Sequence, residues 1–200
     1  MNSHIFKIAS FPLSLLVLPG EEVPLRIFEP RYKQLVDECL QENLPFGIPY
    51  LANGKPTGVG SEVEIVKLVG KNSNDDMVIT IKGRALFKTI DIIPTLPDKL
   101  YGGVLGELID TEFTTKNPEI AVRIKSLKLN ISSSLGTLII SDSINMLDIA
   151  KSIMLRTDEK HKFITLNTKE ARESYILKQL NFVEQIRKQE SELENNFQLN

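Results

Sequence analysis

Apolar and polar positions follow different periods in the two halves of the chain. Over residues 1–116 the apolar runs are short and are broken by Pro, Gly and Asn. Residues 5–8, 15–18, 22–28 and 46–51 read as short strands. Asn53-Gly54 then supplies the positive-φ residues that a two-residue hairpin turn demands. In Glu62-Val63-Glu64-Ile65 the period is two, with Val63 and Ile65 on one face. The phase slips afterwards, because Val66 and Leu68 fall on the other parity. A bulge, or a strand buried on both faces, accounts for such a slip. Residues 71–76 form a polar loop, after which Met77, Ile79 and Ile81 alternate with Val78, Thr80 and Lys82. Gly83 marks a kink, apolar character resumes to residue 93, Pro94 and Pro97 close the region, and 101–109 is the last strand. Strands punctuated in this way predict a closed or nearly closed sheet.

The helical period of 3.6 enters this half once. Tyr32, Leu35, Val36, Cys39 and Leu40 form one apolar stripe, with Asp37, Glu38, Gln41 and Glu42 opposite. Pro30 suits the first helical position, where a missing N–H costs nothing, and Glu29 sits at the N-cap. Beyond residue 116 helices dominate. Asn117-Pro118 opens one, lined by Ile120, Ile124, Leu127 and Ile131, with Gly136 as its stop. A second spans 143–155 with Ile144, Leu147, Ala150 and Met154 inward, and a short third covers 159–166. Asn167 with Glu170 resembles a capping box for a last helix carrying Ala171, Tyr175, Leu180, Val183 and Ile186. Its tail, 190–200, is polar and is expected to fray. The division is thus a β-rich part, 1–116, and a helical part, 117–200.

Composition narrows the function. The 200 residues are 42% hydrophobic and 25% charged, ordinary for a soluble globular protein, with a formal net charge of −2. Residues 1–116 carry 12 Lys/Arg against 15 Asp/Glu, net −3, and 117–200 carry 12 against 11, net +1. Neither half is a basic platform, and aromatics do not interleave with Lys/Arg, which argues against nucleic acid. The apolar stretch 11–18 is too short and too Pro-interrupted for a membrane span or a signal peptide. One cysteine, Cys39, excludes an internal disulfide and a Cys-rich metal framework, and fits a reducing cytoplasm. Asn130-Ile131-Ser132 matches the glycosylation pattern but carries no meaning without secretion.

Catalytic candidates are few. No phosphate-binding loop is present: Gly70-Lys71 continues to Asn72 and Gly54-Lys55 to Pro56. His4 and His161 are the only histidines and lie far apart in sequence. His161, between Lys160 and Lys162, reads as surface. Cys39 lies on an apolar stripe, where a thiol is buried and inert. The pairs Glu21-Glu22, Asp37-Glu38 and Asp75-Asp76 read as solvated charge, and Gly58-x-Gly60 opens no helix. No catalytic, cofactor-binding or metal residue is assigned.

The stretches Phe11-Pro12-Leu13, Val17-Leu18-Pro19-Gly20 and Val23-Pro24-Leu25-Arg26-Ile27-Phe28-Glu29-Pro30-Arg31-Tyr32 resemble the signature of the Lon protease N-terminal domain. Phe46-Gly47-Ile48, Gly58-x-Gly60-x-Glu62-Val63 and Ile81-Lys82-Gly83-Arg84-Ala85-Leu86-Phe87 follow in the family's order, as do Glu159-Lys160 and Ala171-Arg172-Glu173. The resemblance implies an α+β fold, a PUA-like β-barrel or pseudo-barrel followed by a C-terminal helical bundle. It implies a stand-alone, non-enzymatic polypeptide-binding module without the ATPase and peptidase modules, needing no cofactor. Its partners would be unfolded or apolar polypeptide segments, or a specific protein partner. An RNA-binding PUA-like protein and an adaptor for a separate protease are the alternatives, and a homo-oligomer stays open. No peptide-binding residue is identified, although loops 51–60 and 94–103 are candidates. In the Phe28–Tyr32 block, Phe28 is expected in the core and Tyr32 packed on the barrel, worth about 1.5–3 kcal/mol. Glu29 and Arg31 hold the corner; the competing reading places Arg26, Glu29 and Arg31 around a peptide groove.

Overall fold

A computed structural model of the chain describes residues 5–129, 131 and 143–198, with side chains through residue 193. His4, Asn130, Ser132 and Gly136, singled out above, lie outside the described residues. The fold is α+β and divides into two compact units, Met1–Thr111 and Glu112–Asn200, a few residues before the change of hydropathy pattern.

The first unit contains β1 (Ile5–Ser10), β2 (Glu22–Ile27), α1 (Pro30–Glu42), β3 (Phe46–Ala52), β4 (Lys55–Lys71), β5 (Met77–Ile93) and β6 (Gly102–Leu108). Strand order is β2-β5-β4-β3-β1-β6, and a further β5–β6 pairing closes five of the strands into a barrel with β2 flanking. Closure gives each of those five strands a neighbour on both sides, while β2 pairs with β5 alone. The sequence pattern suggested many short strands, but β4 and β5 are single 17-residue strands. They stay paired through register shifts at Glu62/Val63, Ile65/Lys67 and Leu68/Gly70. Those shifts are the parity slip: bulges, not two-sided burial, since Val66 and Leu68 are exposed. Asn53 and Gly54, at φ 51° and 75°, make the β3–β4 turn as expected.

Inside the barrel the Phe87 ring meets glycines. A Cβ at Gly60 would lie 2.3 Å from Phe87 Cζ, and one at Gly106 would lie 3.0 Å from the same ring. A second apolar layer joins α1 to the outer face, gathering Tyr32, Leu35 and Val36 with Ile48, Val63, Ile79 and Ile81. Residues 15–18 are not a strand. Leu16, Val17 and Leu18 are wholly buried without a ladder, flanked by isolated bridges Leu13↔Tyr50 and Pro19↔Gly83. Side chains satisfy their amides instead: Val17 N–H donates to Ser61 Oγ at 2.9 Å, and Leu18 N–H to Glu21 Oε2 at 2.9 Å.

Phe28 is also not in the core. Val23, Leu25 and Ile27 point inward along β2, so the next parity turns Phe28 outward, 59% exposed. Tyr32 does pack on the barrel unit, stacked on Phe11 with centroids 3.7 Å apart. Glu29 is the N-cap of α1 and Pro30 its first residue, but the Glu29 carboxylate takes Arg31 Nε at 2.9 Å instead of capping the helix.

The second unit contains β7 (Thr114–Thr115), α2 (Pro118–Ser126), β8 (Ile144–Asn145), α3 (Met146–Ser152), α4 (Thr157–Ile164) and α5 (Lys169–Gln198). Asn117 caps α2 by accepting from Glu119 N–H at 3.0 Å. The helix expected over 143–155 is shorter, because Ile144 and Asn145 pair with Thr115 and Thr114 before α3 begins. Met154, expected inward, is 84% exposed in the left-handed conformation that ends α3. Thr168, not Asn167, caps α5: its Oγ1 accepts from Ala171 N–H at 3.1 Å. Helix α5 continues through Gln198. Phe163 makes a T-shaped contact with Phe113 and stacks on Tyr175. No described helix is long and apolar enough to cross a membrane.

Candidate functional site

An apolar hollow of the first unit, about 410 Å³, runs along β1. Its walls come from four consecutive β1 residues, Phe6, Lys7, Ile8 and Ala9, together with Cys39 of α1 and the Leu44-Pro45 turn. Glu62, Tyr101 and Leu108 contribute from β4, the approach to β6, and the end of β6. Successive strand residues face opposite ways. Ile8 reaches the barrel interior and Ala9 the α1-covered layer, so a hollow touching all four follows the strand's edge rather than one face.

The turn exists because α1 ends at Asn43 with φ 53°, where Leu44 N–H returns to Cys39 O at 3.1 Å. Leu44 is left 49% exposed at the groove. Polar groups in the walls are mostly satisfied. The Glu38 carboxylate accepts from Lys99 Nζ at 2.7 Å, Tyr101 Oη at 2.5 Å and Gln34 Nε2 at 3.0 Å. The Lys99 contact, then Tyr101, holds the Glu38 carboxyl below its ordinary range, while burial pushes the Tyr101 phenol up. Glu62 pairs with Arg84 at 3.5 Å.

Burial, reinforced by Glu38 and Glu42, pushes the Cys39 thiol up to about 11, which keeps it protonated and unreactive near neutrality. Glu21 serves the Leu18 turn, and Asp76 takes Lys33 at 2.9 Å and Arg26 at 3.7 Å. The Lys33 hydrogen bond holds the Asp76 carboxyl down. Glu29 and Arg31 pair with each other at 2.8 Å, whereas Arg26 lines a separate cleft with Lys71 and Asn72. His161 is half-buried on α4 in the second unit. Among the described residues no cluster of three His, Cys, Asp or Glu could hold a metal ion. Of the two candidate loops, only 94–103 reaches the groove, through Tyr101. Lys7, Leu44, Pro45 and Leu108 were not singled out from sequence. The one signal was an apolar Leu-Pro pair directly after a helix stop.

A hollow of about 560 Å³ in the second unit has a different character: Arg156, Asp158, Glu159, Lys162 and Lys178 make it largely charged.

Comparison with known proteins adds to this geometry. A family model described as the ATP-dependent protease La (LON) substrate-binding domain matches residues 7–195. Among solved structures, a Lon N-terminal domain protein from Xanthomonas campestris superposes with a TM-score of 0.62 at 18% identity, covering 86% of this chain and 97% of that one. The N-terminal domain of Mycobacterium avium complex Lon protease superposes with a TM-score of 0.58 at 12% identity, covering 88% and 98%. At these identities the likeness concerns fold. No curated protein sequence matches the chain.

Proposed function

The chain belongs to the LON substrate-binding domain family, and from that premise we propose that it is a non-catalytic module that captures polypeptides. The observation that carries this reading is the apolar groove along β1, whose wall carboxylates Glu38 and Glu62 are already paired. A groove of that kind offers apolar burial and backbone contacts but no activated nucleophile, since Cys39 is held as a thiol. Capture is an equilibrium, with the cytoplasm as the setting. The partner is an unfolded or apolar segment, free or delivered to a separate protease.

Fluorescence anisotropy with a permanently unfolded apolar polypeptide and a single-stranded RNA, each at low and moderate salt, tests it. Polypeptide binding with little salt dependence is the expected result. RNA binding that collapses with salt would replace this reading with the nucleic-acid one.

A further inference from the structure

Each seam of the barrel carries six or more paired positions except one. Strand β1 pairs with β6 over its whole length, from Ile5↔Glu107 to Ser10↔Gly102. With β3 it pairs only at Ser10↔Gly47. Beyond that point the chain continues the parallel seam, with Phe11 N–H donating to Gly47 O at 2.8 Å and Leu13 N–H to Pro49 O at 3.2 Å. Before it, β3 has not yet begun, and the turn from α1 occupies residues 43–45.

A strand residue directs its N–H and C=O to one edge, and its neighbours direct theirs to the other. Phe11 faces the β3 edge, so Ala9, Lys7 and Ile5 do as well. The N–H and C=O of Ile5 and Lys7 therefore open on the groove, with no strand opposite among the described residues. The hollow along Phe6–Ala9 is the space where that strand would lie. Its sides are apolar and partly exposed at Leu44 and Leu108. Of its charged lining residues, Glu38 is paired with Lys99 and Glu62 shares Arg84 with Glu64, while Lys7 is exposed and has no ion pair among the described residues.

Resting on the polypeptide-capture reading, we infer that an extended apolar segment bearing a carboxylate docks in this seam as an added strand beside β1. Its backbone completes the ladder at Ile5 and Lys7, its apolar side chains lie against Leu44 and Leu108, and its carboxylate meets Lys7. Main-chain pairing supplies affinity with little sequence demand, which suits capture of varied unfolded chains.

The test uses a short labelled peptide of alternating Val and Thr with a central Asp, titrated into the intact protein by anisotropy. N-methylation of every second backbone amide, in each of the two phases, deletes ladder donors without changing side chains. One phase is expected to weaken binding about tenfold or more while the other changes it little. Lys7→Glu is expected to weaken the Asp peptide about fivefold and to favour its Lys counterpart, with an unchanged melt. Equal binding of both methylated peptides, with no effect of Lys7→Glu, would overturn the seam while leaving polypeptide capture standing. No binding of this peptide or of the unfolded polypeptide would overturn both.

Discussion

The barrel unit and the helical unit bury their interiors by opposite means. In the first, ladders consume the backbone, and the side chains inside are fitted against backbone with no spare volume. Phe87 is fully buried between Gly60 and Gly106, and a Cβ at Gly83 would lie 2.2 Å from Leu18 O. In the second, α2 and α3 pack against α5, whose outer flank faces solvent at Phe182 and Leu193, 57% and 58% exposed; apolar side chains also face solvent on the barrel unit, Phe28 and Leu100 among them, so the contrast lies in the interiors. A wall made of paired strands cannot shift to fill a void, whereas a helix flank facing solvent has nothing to refill. Tolerance to substitution should follow from that difference rather than from residue size.

The severest challenge is therefore a matched pair of deletions. Phe87→Ala is expected to destabilise by about 3–5 kcal/mol in denaturant unfolding, the cost of a cavity that glycine-lined walls cannot collapse into. Phe182→Ala removes the same ring from α5 and is expected to change stability by about 0.5 kcal/mol or less. Equal losses would break the comparison.

The contrast can be sharpened inside the barrel unit, at the turn from β2 into α1. Tyr32→Ala removes a ring that is 6% exposed and stacked on Phe11. A loss of about 3 kcal/mol, seen as a fall of several degrees in Tm, is expected. Phe28→Ala, four residues earlier, should leave the melt nearly unchanged because Phe28 faces solvent.

Those two aromatics also show what the sequence could convey. Apolar periodicity, Pro30 at the helix start, Asn53-Gly54 and Asn117-Pro118 are local signals, and the structure uses each as its local chemistry dictates. The parity slip after Ile65 announced bulges. Phe28 was misplaced because its neighbours, not its own hydropathy, set its parity. Residues 15–18 looked like a strand because full burial and strand pairing leave the same apolar trace. The groove was the least legible element. It depends on β1 meeting β3 at Ser10 and not earlier, a register between segments 36 residues apart that no local pattern encodes. Ile176, wholly buried on α5, was passed over because the stripe through Tyr175 and Leu180 absorbed its turn.

A smaller effect in the barrel unit depends on pH. In the barrel unit Glu38 and Asp76 both have carboxyls held below the ordinary range, by Lys99 and Lys33 respectively. A depressed carboxyl contributes stability that is complete above the unfolded-state value and is lost as pH falls through the folded one. The protein should thus lose stability on acidification below about pH 4. Glu38→Gln should be less stable at neutral pH and lose less across that acid window, with the double variant Glu38→Gln/Asp76→Asn flatter still. Parallel acid titration curves for wild type and Glu38→Gln would show that the Lys99–Glu38–Tyr101 cluster is not what acid disrupts.

The mildest prediction concerns how helices stop. Helix α3 ends with Met154 at φ 54°, and Leu155 N–H reaches back to Ala150 O at 3.1 Å; α2 ends the same way at Lys128, φ 50°, with Leu129 N–H to Ile124 O at 3.1 Å. This is the geometry in which glycine is preferred, because any Cβ is strained in the left-handed region. Met154 has almost no burial to lose. Met154→Gly is accordingly expected to stabilise the helical unit by up to about 1 kcal/mol, read as higher protection of α3 amides in hydrogen exchange. In the barrel unit the position at risk is the reverse: Gly83 cannot accept even a methyl group. If Met154→Gly destabilised instead, the exposed methionine would have to be held by contacts in solution, and the left-handed stop could no longer be read as a strain on α3.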